Sequence, residues 1–201
     1  VSKIYPGGNV ALRNISIHID PGEFVFIVGP SGAGKSTFIK MLFREVLPSA
    51  GSIRINDVDI LNLQPKEIPY MRRQLGIIFQ DYRLLPDRTV YDNVAFAMQV
   101  IEAPYRQIKR RVMNVLDLVG LRRRAYAHPN ELSGGEQQRI AIARAIVNSP
   151  ALVIADEPTG NLDPETSREI MEIFQEINNS GTTIIMATHD KQIVDSMSKR
   201  V

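Results

Sequence analysis

The segment GPSGAGKS, at residues 29–36, has residue types and a spacing that could bind phosphate groups. It follows an apolar run, EFVFIV at 23–28, that predicts a buried strand, and it leads into a helical pattern. Glycines allow backbone N–H groups to approach phosphate oxygens, and the start of a helix favours negative charge. The segment therefore predicts an anion site at a strand-to-helix junction.

Two side chains in this segment indicate a nucleotide as the anion. Lys35 would add a positive charge for the β- and γ-phosphates, and the Ser36 hydroxyl would be a ligand of Mg²⁺. A glycine-rich structural turn would not need the lysine, the serine and this context together. The predicted contacts with the nucleotide are Gly29, Pro30, Ser31, Gly32, Ala33, Gly34, Lys35, Ser36 and Thr37.

A second stretch supplies the carboxylates that a magnesium–phosphate site needs. LVIADE, at 152–157, is an apolar strand pattern that ends in two acids. Ligands bind at the carboxyl ends of strands in open α/β sheets, so these acids are expected beside the phosphate loop. Asp156 would hold the Mg²⁺ shell, and Glu157 would act as the general base toward an attacking water. Alone, the pattern is that of an ordinary strand exit; together with residues 29–36 it predicts nucleotide hydrolysis.

The third stretch, ELSGGEQQR at 131–139, places two glycines at the start of a helical pattern, where glycine is unfavourable. Ser133, followed three residues later by Glu136, matches a helix capping box. Capping alone does not require two glycines. Gly134 and Gly135 therefore indicate a second role that needs a bare backbone.

Composition limits the classes of function. With 201 residues and 44% hydrophobic content, the sequence is typical of a globular domain. No apolar run reaches about 18 residues, and the absence of cysteine excludes disulfides, thiolate metal sites and cysteine nucleophiles. The net charge of +2 is too small to indicate nucleic acid as the main partner. The basic clusters at 109–111 and 122–124 fit a solvated surface, or contact with anionic lipid headgroups or an acidic partner.

Strand-like and helix-like stretches alternate, which predicts an α/β fold with a mainly parallel sheet. Further strands are expected at 51–55, 75–79, 151–155 and 182–188. Helices are expected from the phosphate loop to Val46 and from Pro164 to near Gly181, and residues 89–148 are mostly helical. The sequence therefore predicts a single domain, in which an ATP-binding core at 1–86 and 150–201 contains an inserted helical subdomain at 87–149.

GPSGAGKST, LSGGEQQR and LVIADEPTGNLD, in this order, resemble the motifs of the ABC ATPase nucleotide-binding domain, over essentially the whole chain. The resemblance implies a P-loop NTPase core with a mainly parallel sheet, a small antiparallel β portion and the helical insertion. It also implies that two copies pack head to tail and hold ATP and Mg²⁺ between them. The LSGGE signature, with Ser133, Gly134, Gly135 and Glu136, would then contact the ATP bound by the other copy.

The resemblance also implies roles for four more residues. Gln80 would contact Mg²⁺ and the attacking water and link to a membrane partner, and His189 would contact the γ-phosphate. Asp163 would lie in the loop that crosses between subunits, and Tyr5 would stack on adenine. Family members have a strand before the position of Tyr5 and strands after the histidine. The 201 residues are therefore expected to be part of a slightly longer protein.

One compact domain without a coiled-coil insertion resembles the ATPase subunits that dock on a separate integral membrane protein, at the cytoplasmic face of the cell membrane. FQDYRLLPDRTVYDNVAFAMQVI at 79–101 and MATHDKQIVDSM at 186–197 resemble the branch of the family that serves bacterial cell division. That branch acts with a membrane partner to control peptidoglycan hydrolases. Lipoprotein-releasing and macrolide-type exporter ATPases share most of these motifs and stay open as the alternative, followed by ABC proteins that act on nucleic acid or ribosomes.

Overall fold

Four parallel strands form the central sheet of the protein, whose computed structural model describes all 201 residues. In chain order the strands are β3 (Phe24–Val28), β6 (Leu75–Ile78), β7 (Leu152–Asp156) and β8 (Thr183–Thr188). Across the sheet their order is β3–β8–β7–β6, and every neighbouring pair is parallel. The mainly parallel sheet expected from the sequence is thus confirmed.

Apolar side chains cover both faces of this sheet. Along β7, Val153 and Ala155 belong to one hydrophobic core, whereas Ile154 between them belongs to a second. Successive side chains of a strand point to opposite faces, so each strand contributes to both cores. This arrangement explains why the strands are continuous apolar runs rather than alternating patterns.

Helix α1 (Lys35–Leu42) covers one face, where Phe38 and Ile39 pack in the same core as Ile154. The other helices are α2 (Ile68–Arg73), α3 (Val90–Gln99), α4 (Tyr105–Leu118), α5 (Gly134–Ile146), α6 (Pro164–Asn179) and α7 (Lys191–Met197). Helices α3 to α6 contribute to the core on the opposite face of the sheet, which also contains Phe26. None of the helices combines the length and the apolarity that a bilayer crossing requires.

Helices α3, α4 and α5 lie between β6 and β7 in the chain, with short 3-10 turns at Arg122–Arg124 and Pro129–Glu131. The helical pattern of residues 89–148 therefore predicts this segment well. Val94, Leu116 and Ile142 from these helices share one hydrophobic core with side chains of the sheet. The boundaries of a separate helical subdomain, at 86 and 150, stay a prediction.

Two small antiparallel hairpins complete the fold. The first pairs β1 (Lys3–Ile4) with β2 (Val10–Leu12), and the second pairs β4 (Arg54–Ile55) with β5 (Val58–Asp59). A short strand therefore does precede Tyr5 in this chain. The strand predicted at 51–55 was too long, because only its last two residues pair with a neighbour.

The first helix ends earlier than its pattern predicts. The expectation was Val46, but α1 stops at Leu42, and Arg44 adopts a left-handed backbone with φ 59°. The Arg44 guanidinium donates hydrogen bonds to the carbonyls of Leu63 and Leu61, at 2.7 and 3.3 Å. These long-range contacts hold the left-handed turn that ends the helix, and no local pattern predicts them.

One buried side chain fixes the loop that leads from the sheet into α3. Asn93 is fully buried; it accepts a hydrogen bond from Leu85 N and donates to the carbonyls of Leu85, Arg88 and Thr89.

We predict that Asn93→Ala lowers the free energy of unfolding by about 1–3 kcal/mol, because several buried backbone groups lose their partner. Urea unfolding followed by circular dichroism measures this loss. Asn62→Ala, at an exposed side chain bonded to Asp59, is the control and should change stability by less than about 0.5 kcal/mol; equal losses would contradict the prediction.

Candidate nucleotide-binding site

The carboxyl ends of the four parallel strands meet at one edge of the sheet. Val28 lies opposite Thr188 across β3 and β8, and Asp156 lies opposite Ala187 across β7 and β8. The phosphate loop therefore begins beside the segment that carries His189, and that segment adjoins the strand that ends in Asp156. Gln80 follows β6, the fourth strand, by two residues. The topology thus assembles residues that are far apart in the sequence.

The phosphate loop packs closely against the β1–β2 hairpin. A Cβ atom on Gly34 would lie 2.4 Å from the carbonyl oxygen of Ala11, and Gly34 has φ +95°. Only glycine fits both the close approach and the left-handed backbone. Gly34 also precedes α1 directly, so the N-terminal amides of that helix lie at the loop, where they favour an anion.

Lys35, Glu157 and His189 form a connected polar group at this edge. The Lys35 ammonium lies 3.3 Å from Oε1 of Glu157 and donates a hydrogen bond of 2.8 Å to the carbonyl of Gly29. Oε2 of Glu157 lies 2.7 Å from Nδ1 of His189. Lys35 and Glu157 are nearly buried, with 8% and 11% of their side chains exposed, so their attraction is only weakly screened. The expected general base is therefore held between a lysine and a histidine.

Ser36 and Asp156 supply oxygen donors suited to a divalent cation. The Ser36 hydroxyl donates to Oδ1 of Asp156 at 3.2 Å. Burial raises the pKa of the Asp156 carboxyl above its usual range, and the bond from Ser36 opposes part of that rise. No group of three or more His, Cys, Asp or Glu side chains could hold a metal ion. A hydroxyl and one carboxylate fit Mg²⁺, which takes few protein ligands and completes its shell with phosphate oxygens and water.

Four of these residues, namely Lys35, Ser36, Glu157 and His189, line a cavity of about 530 Å³, large enough for part of a nucleotide. Asp156 does not line it, but its carboxylate is bonded to Ser36, which does. Gln80 and Tyr5 contribute to its wall. The Tyr5 hydroxyl is 3.2 Å from Oγ1 of Thr37, and the Lys3 ammonium lies 5.0 Å from the centre of the Tyr5 ring. The lining residues are Tyr5, Asn9, Val10, Ala11, Ser31, Gly32, Gly34, Lys35, Ser36, Thr37, Gln80, Glu157 and His189.

Sequence reasoning missed three of these residues, namely Asn9, Val10 and Ala11. They belong to the β1–β2 hairpin, whose few residues carry no strong strand pattern. The only local signal is the pair of glycines at 7 and 8, which have φ of +93° and +84° and form the turn.

The LSGGE stretch lies outside this cavity, since none of residues 133–136 lines it. Ser133 caps α5 as its sequence predicts: its hydroxyl accepts from Glu136 N at 3.3 Å, and the Glu136 carboxylate accepts from Ser133 N at 2.9 Å. Ser133 and Gly134 are exposed. The start of α5 thus presents amides and a hydroxyl on the surface, away from the chain's own phosphate loop.

Gly135 also packs closely against Thr166 of its own chain, a contact that sequence reasoning missed. A Cβ atom there would lie 2.5 Å from the Cγ2 methyl of Thr166 in α6. Thr166 cannot easily turn this methyl away, because its hydroxyl donates to Asp163 at 2.6 Å. Asp163 in turn caps α6 by accepting from the backbone of Glu165 and Thr166. The hydrogen bonds from Thr166 lower the pKa of the Asp163 carboxyl.

The geometry defines the class of protein. A phosphate loop between a strand and a helix, with paired acids at the end of a nearby parallel strand, is the site of a P-loop nucleoside triphosphatase.

Comparison with known proteins defines the family. The family described as ABC transporter matches residues 12–160. The chain is 60% identical, over all 201 residues, to the cell division ATP-binding protein FtsE of Bacillus subtilis, of which it covers 88%. It is 51% identical, again over 201 residues, to the protein of that name from Escherichia coli K12, of which it covers 90%. The chain therefore belongs to the ABC transporter family and is an ATPase domain of that family.

Solved structures agree with this assignment. A dimeric structure of MJ0796, described as a bacterial ABC transporter cassette, superposes with a TM-score of 0.87 at 36% identity and covers 97% of this chain and 88% of that one. A second dimeric structure of MJ0796, in a post-hydrolysis state bound to ADP and Pi, has a TM-score of 0.86 at 35% identity and covers 96% and 87%. The expected ABC ATPase fold is confirmed.

The contact between Gly135 and Thr166 makes a compensation test possible. We predict that Gly135→Ala lowers the free energy of unfolding by about 1–3 kcal/mol, because the added methyl overlaps Thr166. Thr166→Ser removes the methyl but keeps the hydroxyl that bonds Asp163, so the double variant should recover most of the loss. Urea unfolding of both single variants and the double variant measures this. If the losses of unfolding free energy in Gly135→Ala and Thr166→Ser simply add in the double variant, the contact with Thr166 is not the reason for glycine at 135.

Proposed function

We propose that this chain is the ATP-hydrolysing subunit of a bacterial cell-division system, equivalent to the FtsE proteins. The proposal is supported by the shared name of its relatives, which are 51–60% identical to it over the whole chain. By the same resemblance, its partner is an FtsX-like integral membrane protein, and the pair controls peptidoglycan hydrolysis rather than transporting a solute. The partner would hold the chain as a peripheral protein at the cytoplasmic face of the cell membrane.

The residues expected from the sequence have proposed roles in ATP hydrolysis. The backbone N–H groups of the phosphate loop, to which Pro30 contributes none, and the Lys35 ammonium bind the phosphates, and the Tyr5 ring stacks on adenine. Ser36, Asp156 and Gln80 hold Mg²⁺, which neutralises charge on the β- and γ-phosphates when it is bound. A phosphate oxygen in the loop competes with Glu157 for the Lys35 ammonium. Glu157 is then free to accept a proton from the attacking water, and His189 contacts the γ-phosphate.

Two copies would complete each other's site. The chain's own cavity is lined by phosphate-loop residues and Glu157, whereas residues 133–136 lie outside it and Ser133 and Gly134 are exposed. We propose that Ser133, Gly134, Gly135 and Glu136 close over the γ-phosphate of the ATP bound by a second copy, packed head to tail. The loop that ends in Asp163 would cross between the two subunits. The position of residues 133–136 outside the chain's own cavity is the observation that supports this proposal.

Replacement of the general base tests this proposal. Glu157→Gln keeps the size of the side chain but removes the charge that accepts the proton, so turnover should fall by at least about 100-fold. ATP should still bind, and because it stays intact, the dimer should accumulate. Phosphate release and multi-angle light scattering with Mg-ATP measure the two effects.

A second variant separates binding from hydrolysis. Lys35→Ala removes the phosphate charge and should prevent both nucleotide binding and dimer formation. Lys109→Ala, at an exposed lysine of α4 that does not line the cavity, is the control and should leave both unchanged. Parental turnover in Glu157→Gln would show that another residue activates the water, and dimers of Lys35→Ala would show that ATP does not drive association.

A further inference from the structure

The segment that follows Gln80 is tied to the helix that carries the signature residues. Arg144, in the last turn of α5, donates a hydrogen bond of 2.6 Å to the carbonyl of Arg83 and one of 2.7 Å to the carbonyl of Tyr82. The guanidinium is planar and presents its donors as a rigid fork, so one side chain holds two successive peptide groups. Burial lowers the pKa of Arg144, as expected for a charge that has lost part of its hydration.

The backbone of this segment is strained in a way that needs such support. Tyr82 and Arg83 both adopt left-handed conformations, with φ of 57° and 48°, which are unfavourable for residues with a side chain. The Arg83 guanidinium lies 3.8 Å from the centre of the Phe79 ring. Further along, Asn93 binds the backbone of Leu85. The segment after Gln80 is therefore held on both sides, by α5 and by α3.

The same segment reaches the signature itself. The Tyr82 hydroxyl lies 3.2 Å from the position that a Cβ atom would occupy on Gly134. Tyr82 thus contacts α5 in two ways: its carbonyl accepts from the side chain of Arg144, a residue of the last turn, and its hydroxyl lies beside Gly134 in the first turn. Gln80, two residues earlier, lines the nucleotide cavity of the same chain.

We propose that Arg144 is a positioning residue that couples each chain's own nucleotide cavity to the signature that the chain presents to its partner. A shift of Gln80 on nucleotide or partner binding moves the peptides of Tyr82 and Arg83, and Arg144 passes this shift to α5 as a rigid body. The inference rests on the head-to-tail dimer proposed above. It adds a physical path by which one site senses the state of the other.

Amide hydrogen exchange tests the contact in the chain without nucleotide. In Arg144→Met the amides of residues 82–85 should exchange about tenfold faster, because their strained backbone loses two hydrogen bonds. Arg139→Met is the matched control: Arg139 is also in α5 and binds the carbonyl of Val119 and the Glu169 carboxylate, but not this segment. The control should leave residues 82–85 unchanged. If Arg144→Met also leaves them unchanged, the proposal is overturned, whether or not the chain hydrolyses ATP.

A double-mutant cycle tests the coupling. Gln80→Ala, Arg144→Met and the double variant are compared for turnover at saturating ATP and for the affinity of the monomer for a fluorescent ATP analogue. If Arg144 acts through the Gln80 segment, each single variant should lose about tenfold in turnover, and the double variant should lose little more than either. Monomer affinity should change less than about threefold in Arg144→Met. A merely structural role would instead give losses that multiply, as expected for Arg139→Met combined with Gln80→Ala.

The outcomes separate the two proposals. Absence of turnover in the unsubstituted chain would refute the proposed function. If the unsubstituted chain hydrolyses ATP but the losses of Gln80→Ala and Arg144→Met multiply in the double variant, only the coupling would be refuted. If Arg144→Met does not fold, Arg144→Lys provides the same test, since an ammonium keeps the charge but is a point donor that reaches one carbonyl rather than two. Arg144→Lys should then show an intermediate rate of exchange at residues 82–85, and parental exchange together with parental turnover would overturn the proposal.

Discussion

The parallel alignment of four strands determines where the main residues of the nucleotide site lie. Because β3, β8, β7 and β6 run in one direction, the segments that follow them all begin at one edge of the sheet. The phosphate loop, His189, the paired acids and Gln80 are brought together by this fact alone. Burial of both faces fixes the register, since a slip of one residue would exchange the side chains between the two cores. The energy that holds the site together is therefore mostly that of the apolar packing beneath it.

The glycines of the chain serve the fold and the chemistry together. Gly34 has no side chain, so the carbonyl of Ala11 can approach it closely, and its left-handed backbone leads directly into α1. The packing of the hairpin and the anion site therefore both depend on glycine at this position. Gly135 is required by Thr166, which links α5 to the loop that ends in Asp163. A substitution at either glycine disturbs packing, whatever it does to nucleotide binding. Tests of the signature are therefore more informative at Tyr82, whose hydroxyl lies beside Gly134, and at Arg144, which binds the Tyr82 carbonyl, than at Gly135.

The sequence predicts the elements that rest on local patterns and misses those that rest on distant contacts. The apolar runs of β7 and β8, the cap at Ser133 and the helices after residue 89 all follow from spacing and residue type. The end of α1 does not, because Arg44 is held by carbonyls of residues 61 and 63. The residues of the phosphate loop and the two acids could be identified from their motifs. Residues 9–11 line the cavity, and Arg144 binds the segment after Gln80, only because of the tertiary fold, so no sequence motif predicts them. The contact of Gly135 with Thr166 is of the same kind, since it joins two helices separated by a strand.

In the proposed dimer, one chain carries two half-sites that only a second copy, packed head to tail, can complete. The absence of cysteine allows this to be measured with single introduced thiols, Ser31→Cys in the phosphate loop and Ser133→Cys at the signature, each in a Glu157→Gln chain. The two chains are made with different masses, mixed, and treated with a short thiol cross-linker in the presence of Mg-ATP or ADP. A head-to-tail dimer should give cross-links between residue 31 of one chain and residue 133 of the other, with ATP and not with ADP. Cross-links that join only residue 31 to residue 31, or residue 133 to residue 133, would contradict it.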